Sequence, residues 1–238
     1  MIGVILAAGD GTRLTKSTGQ SICKALRRIN GKYLLEYSLD NLISLDIADT
    51  YVVVGKQGDL IKEAIGNKYK SLNIHYVSQQ EQKGLMNAFV EALNVMNCDE
   101  TVILQLSDEI FIDLKAEEIK KAIQKDFDFY CGFVFEDDVE KIKNNFSVET
   151  DSKSLLVNCI EKPKTVVNNI KGTGFTVFGA DALEIIKTHT ELCDLCDTFN
   201  YLTEKGYRGL AFNIAEREFN VNTLDDLIEA ENCLKQNT

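Results

Sequence analysis

With 238 residues, 45% of them hydrophobic and 26% charged, the chain is long enough for one large domain and ordinary in polarity for a globular protein. A net charge of −11 sets nucleic acid and anionic membranes aside as partners, since both would repel such a surface. No stretch of about 18 apolar residues occurs that would span a membrane, Ile2 to Leu6 reads as a strand and not as a leader peptide, and the seven scattered cysteines suit a reducing cytoplasm.

Ile2 to Leu6 is an apolar run and predicts a buried first strand. A turn follows over Arg27 to Lys32, and Leu34, Leu35, Leu39, Leu42 and Ile43 fall at helical spacing. Tyr51 to Val54 is a β-branched strand, Asp59 to Ile65 a helix, Leu72 to Val77 a strand, Gly84 to Met96 a helix and Thr101 to Leu106 a fourth strand. Such alternation predicts an α/β, Rossmann-like architecture, with a mostly parallel sheet carrying helices on both faces. After a helix to Ile123 and a strand over Phe127 to Phe135 the pattern turns β-rich, at Phe146 to Glu149, Leu155 to Ile160 and Gly174 to Phe178. Helices over Asp181 to Lys187 and Leu192 to Lys205, a strand over Leu210 to Ile214 and a last helix over Leu224 to Leu234, with Thr223 at its N-cap, complete the chain. No linker or repeat interrupts it, so a single domain is expected, with halves at about 1–125 and 126–238. Cys193 and Cys196 form the one C-x-x-C; without a second pair or a suitably spaced histidine it reads as packing in a helix.

The stretch Leu6-Ala7-Ala8-Gly9-Asp10-Gly11-Thr12-Arg13-Leu14 organises the chain. Its place after the first strand puts it at the edge of the sheet where ligands of such folds bind. Two glycines allow a tight turn and a close backbone approach, Arg13 offers a guanidinium fork suited to phosphate oxygens, and Lys24 adds a second cation. Backbone N–H groups and two cations form a cradle for a triphosphate. The dinucleotide fingerprint fails, since Leu14 takes the place of its third glycine and the second strand ends in Gly55 with no acidic residue. A Walker loop fails as well, for want of G-K-[ST]. Asp108, just past the fourth strand, suits Mg²⁺, which takes carboxylates together with phosphate oxygens.

Leu6 to Leu14 with Lys24 resembles the signature of nucleotidylyltransferases that join an NTP to a sugar 1-phosphate or a related phosphate, and Ser107-Asp108-Glu109-Ile110-Phe111 resembles that family's Gly-Asp motif, with Ser in place of Gly. The resemblance runs in order from Leu6 to Asn222. It implies that Leu6, Ala8, Gly9, Gly11, Thr12, Arg13 and Lys24 hold the nucleotide, and that Gln79 and Gly84, similar to the base-reading segment of glucose-1-phosphate thymidylyltransferases, hold a pyrimidine edge. Glu161-Lys162-Pro163 and Gly172-Thr173-Gly174 resemble the sugar-phosphate segment: Glu161 accepts from hydroxyls, Lys162 holds the acceptor phosphate and Gly172 admits the sugar. Phe146-Ser147-Val148 aligns with a Tyr-Gly-Val that faces the sugar, which assigns Ser147 to the acceptor. The resemblance also implies Asn222 as a second metal ligand beside Asp108, with Asn220 as the competing register, and Glu109 as a neighbour of the site and not a ligand. The family reading has Arg13, Lys24 and Lys162 stabilise the transferred charge, with Mg²⁺ as cofactor and an NTP and a small phosphorylated acceptor as partners. Sugar 1-phosphate with a pyrimidine NTP leads; a CTP-dependent cytidylyltransferase acting on phosphocholine or a phosphonate, and a non-catalytic nucleotide-binding module, are the alternatives. The sequence is compatible with a homo-oligomer.

Overall fold

The computed structural model describes residues 1–9, 11, 14, 16, 23–81, 83–96 and 100–236. Strand β1 (Ile2–Ala7) lies between β4 (Asp49–Val54) and β7 (Val102–Leu106), and β4 pairs with β6 (Leu72–Ser78); all three pairings are parallel. Their connections carry helices α1 (Leu34–Ser44), α2 (Gly58–Ile65) and α3 (Leu85–Met96). Period-2 alternation sorts the strand side chains. Val4 and Val53 join α3 through Met86, Phe89 and Leu93 on one face. Ile5, Val52 and Val54 meet Leu35, Leu39 and Leu42 of α1 and Ile61 of α2 on the other. Val4 and Ile5 are both fully buried, each stabilising the fold by roughly 1.5–3 kcal/mol relative to exposure. A sheet covered on both faces explains why these strands read as continuous apolar runs.

The second half adds mainly antiparallel strands. Beyond β7 the order is β12 (Ile170–Phe178), β10 (Phe146–Thr150) and β11 (Leu156–Glu161). Strand β9 (Phe129–Phe135) pairs antiparallel with β12 and parallel with β13 (Gly209–Asn213). Short β5 (Lys68–Tyr69) closes the far edge beside β6. Helices α4 (Ala116–Ile123), α5 (Val139–Lys143), α6 (Ala180–Thr188), α7 (Leu195–Glu204) and α8 (Leu224–Gln236) complete the described chain. The expected mostly parallel sheet is thus the first half, and the β-rich remainder is a mainly antiparallel extension of the same sheet. No helix among the described residues is long and apolar enough to cross a membrane.

Two features depart from the sequence reading. The turn after Lys24 is a hairpin, β2 (Arg28–Ile29) with β3 (Lys32–Tyr33), whose loop residues Asn30 and Gly31 have φ of 48° and 83°; Asn-Gly is the pair that tolerates two left-handed residues in succession. The second feature is a separate antiparallel pair, β8 (Glu109–Ile112) with β14 (Arg217–Asn220). Ile110, Ile112, Phe219 and Val221 bury it against Ile29, Leu34 and Ala230. In this pair Asn220 lies opposite Glu109, and the Val221 N–H donates to the Asp108 carbonyl at 2.9 Å. That register joins two chain segments more than a hundred residues apart.

Candidate active site

At the carboxyl ends of β1, β6 and β7 a cavity of about 260 Å³ opens. Leu6, Ala8, Gly9, Gln79, Gly84 and Asp108 all line it, together with Leu85, Ala88 and Leu106. Gly9 faces open space, with nothing within 4 Å of where a Cβ would stand. Gly11, at φ +59°, lies so close to Lys24 that a Cβ there would come within 2.9 Å of the Lys24 Cβ. Thr12 and Arg13 lie outside the described residues. Gln79 is fixed at the cavity by its backbone N–H, which donates to Val54 O at 2.8 Å. Its side-chain Nε2 is buried with no hydrogen-bond partner among the described residues, an arrangement that favours a ligand offering an acceptor. Gly84 has φ +108°, a conformation reserved for glycine.

Lys24 opens a single 3-10 turn, Lys24–Leu26. Its ammonium pairs with Asp108 Oδ2 and donates to Asn222 Oδ1 at 2.9 Å. Asp108 and Asn222 therefore meet at one cation, the Lys24 ammonium. Of the two asparagines, Asn222 Oδ1 faces Lys24, while Asn220 Oδ1 stands behind it and accepts from Asn222 Nδ2 at 2.6 Å. Asn220 Nδ2 in turn donates to Asn145 Oδ1 at 3.1 Å. The start of α8 holds this corner, because Asp226 Oδ2 accepts from the backbone N–H of Asn222 and of Thr223, at 2.9 and 2.7 Å, and the Asp226 N–H donates to Thr223 Oγ1 at 3.2 Å. Thr223 is the expected N-cap, with Asp226 reaching back across it.

A second cavity, also of about 260 Å³, lies on the Asn222 side, lined by Asn144, Asn145, Lys171, Glu218, Asn220 and Asp226 among others. Asp108 belongs to the first cavity and Asn222 to the second, so Lys24 stands at the seam. The floor of the second cavity holds ions that sequence reasoning missed. Lys171 and Glu218 are 2% and 5% exposed. The Lys171 ammonium pairs with Glu218 at 2.8 Å and with Glu136 at 3.3 Å. Burial works against its charge, but the two carboxylates outweigh burial and raise its pKa. Glu109 is buried as well, with both carboxyl oxygens accepting from the Gly174 N–H at 2.8 and 2.9 Å. Burial, then the charges of Glu218 and Asp108, push its carboxyl well above the usual range. Burial also raises Glu218. The site is thus crowded with carboxyl groups, which suits cationic partners.

The acceptor residues named from the resemblance are spread more widely. Glu161 and Lys162 sit exposed at the end of β11, paired at 3.1 Å. The Lys162 N–H donates to Asn145 O at 2.7 Å, so the segment borders the second cavity through Asn145. Ser147 is 1% exposed, within the paired strand β10. Gly172 faces Phe146: a Cβ there would come within 1.8 Å of the ring. Its lack of a side chain thus serves ring packing, whatever ligand comes near. Gly172→Ala is expected to cost about 1–3 kcal/mol by overpacking. A urea melt reads this, and unchanged stability would return Gly172 to a purely ligand-facing role. The C-x-x-C is split, Cys193 being exposed and Cys196 buried.

The family model described as nucleotidyl transferase matches residues 2–237. UTP–glucose-1-phosphate uridylyltransferase AglF of Haloferax volcanii is 31% identical over 179 residues, covering 75% of this chain and 72% of AglF. Among solved structures, a UDP-glucose pyrophosphorylase complexed with UDP-glucose superposes with a TM-score of 0.84 at 18% identity, covering 100% of this chain and 99% of its own. The inositol-1-phosphate CTP transferase from T. maritima superposes with a TM-score of 0.81 at 18% identity, covering 99% and 95%.

Proposed function

The chain belongs to the nucleotidyl transferase family and is an enzyme of the sugar-1-phosphate type, and within that class we propose that it joins a pyrimidine NTP to a hydroxylated 1-phosphate, releasing pyrophosphate. The observation that carries this reading is the seam. One ammonium, Lys24, touches a residue of each cavity, so a triphosphate in the first and an acceptor phosphate in the second meet at a single cationic centre. The buried, unpaired Nε2 of Gln79 supports a pyrimidine. It can donate to a ring carbonyl, and a carboxamide oxygen beside it can accept from the N–H of an imide edge.

Acceptor chemistry follows from the second cavity. Its lining is amides and charged groups, with Phe219 the one aromatic ring among the lining residues, and Lys141 already lies 5.8 Å from that ring's centre. A trimethylammonium group is held by aromatic faces, so this lining favours hydroxyls over choline. Similarity to a glucose-1-phosphate and an inositol-1-phosphate enzyme points the same way.

The acceptor phosphate is a monoester with a second pKa of about 6 and is already ionised at neutral pH, so no general base is needed. Its oxygen attacks the α-phosphorus, the bond to the bridging oxygen breaks, and pyrophosphate carries the electron pair away. Lys24 and Arg13 stabilise charge on the transferring phosphate, Lys162 orients the acceptor, and the Gly9 backbone leaves the triphosphate room. Asp108 and Asn222 supply two hard oxygen donors that already converge on one cation, a set that fits Mg²⁺ arriving with phosphate oxygens. Mg²⁺ there would neutralise phosphate charge.

Pyrophosphate release across UTP, CTP, dTTP, ATP and GTP, each with glucose 1-phosphate, N-acetylglucosamine 1-phosphate, inositol 1-phosphate, phosphocholine and 2-aminoethylphosphonate, tests the reading. Turnover is expected for pyrimidine NTPs with hydroxylated 1-phosphates. Turnover of phosphocholine or the phosphonate alone would replace it with the cytidylyltransferase alternative. Glu161→Gln is expected to raise KM for the acceptor severalfold while KM for the NTP holds. Equal changes in both constants would take Glu161 out of acceptor binding.

A further inference from the structure

We propose that Lys24 occupies the cation position between Asp108 and Asn222 in the ligand-free enzyme, so that a divalent cation can be held there only after NTP phosphates draw the ammonium away. The inference rests on the assignment of Asp108 and Asn222 as metal ligands and adds a condition on when they act. Three observations carry it.

The first is coincidence of position. Both oxygens expected to hold the metal already hold the Lys24 ammonium. An ammonium in contact with both oxygens and a Mg²⁺ at about 2.1 Å from each would claim one small volume, and two cations so close repel. The second is the support behind the two residues. Asn222 is fixed by Asn220 behind its amide and by Asp226 on its backbone N–H, and the backbone at Asp108 is held by the Val221 N–H on its carbonyl. The third is where freedom remains. Gly11 leaves the base of the Lys24 side chain the room that a Cβ would take, and the four-carbon stem can rotate. A triphosphate over Gly9 would offer the ammonium a more negative partner than Asp108 alone. Moving there, Lys24 would leave two prearranged oxygens to the cation that comes with the nucleotide.

Cation and nucleotide binding are then strongly coupled, and by linkage each tightens the other by the same factor. The device would keep a free divalent ion from settling in an empty site.

Mn²⁺ binding to the full chain, followed by electron paramagnetic resonance of the free ion, tests this. Without nucleotide, Lys24→Met is expected to bind Mn²⁺ at least tenfold tighter than wild type, and Lys24→Met with Asp108→Asn to lose that gain. Lys24→Gln should gain in the same direction. Thermal melts give an independent readout: Mn²⁺ alone should raise Tm of Lys24→Met more than that of wild type. The inference is overturned if both Lys24 variants bind Mn²⁺ no more tightly than wild type. Mn²⁺·UTP binding to Asp108→Asn separates this from the underlying assignment. If Asp108→Asn weakens that complex while the Lys24 variants gain nothing, the ligand assignment stands and the exclusion by Lys24 falls. If Asp108→Asn leaves it unchanged, the assignment itself is wrong.

Discussion

Asp108→Asn is expected to lower kcat/KM at least 100-fold, about 2.7 kcal/mol of transition-state stabilisation, in a protein that stays folded. Among the described residues, Asp108 is the carboxylate that pairs with Lys24 and lines the first cavity. Asn222, its partner at the cation, is neutral, so Asn in place of Asp108 would leave two neutral oxygens where a divalent ion needs charge. Folding should tolerate the change for two reasons. The Asp108 contact that joins β8 to β14 uses its backbone carbonyl, not its side chain. The lost carboxylate also relieves a crowded neighbourhood, since its charge helps push Glu109 and Glu218 upward. Steady-state kinetics paired with a thermal melt measure both halves. A variant that is inactive only because it has unfolded would assign Asp108 to structure.

Lys24→Ala is expected to lose at least tenfold in kcat/KM, about 1.4 kcal/mol, with kcat falling more than KM rises. The split follows from geometry. A cation at the seam between two cavities acts on the phosphate passing between them, and such an interaction is strongest in the transition state. Lys24 lies with its stem against Gly11 and its ammonium 2.9 Å from Asn222, so Ala removes the charge without opening the strand core. An unchanged kcat would remove Lys24 from the chemistry.

Much of this site could be read from the chain because its parts are local. A glycine loop after an apolar strand and an acidic residue after another are each written in about ten consecutive residues, and the order of elements puts both at one edge of the sheet. Thr223 at the N-cap was legible for the same reason. What could not be read is non-local. Asp108 meets Asn222 because β8 and β14 pair with Asn220 opposite Glu109, and four-residue strands that far apart leave little trace in periodicity. Lys171, Glu136 and Glu218 were missed because charged residues in strands usually face water. The signal available was Lys171 within the otherwise uncharged run Ile170 to Phe178, which is buried from Lys171 onward. Gly172 was read for a ligand, whereas its neighbour is the Phe146 ring. No spacing rule reveals a contact between strands β10 and β12.

The central claim is that nucleotidyl transfer takes place where Lys24, Asp108 and Asn222 meet. Its most direct test is the anomalous signal of Mn²⁺ in crystals grown with a non-hydrolysable UTP analogue. The account predicts a peak about 2.1 Å from both Asp108 Oδ and Asn222 Oδ1, with the Lys24 ammonium on a phosphate oxygen and the uracil edge against Gln79. A Mn²⁺ peak away from both side chains, with Lys24 still bonded to Asp108 and Asn222 while the nucleotide is bound, would contradict it.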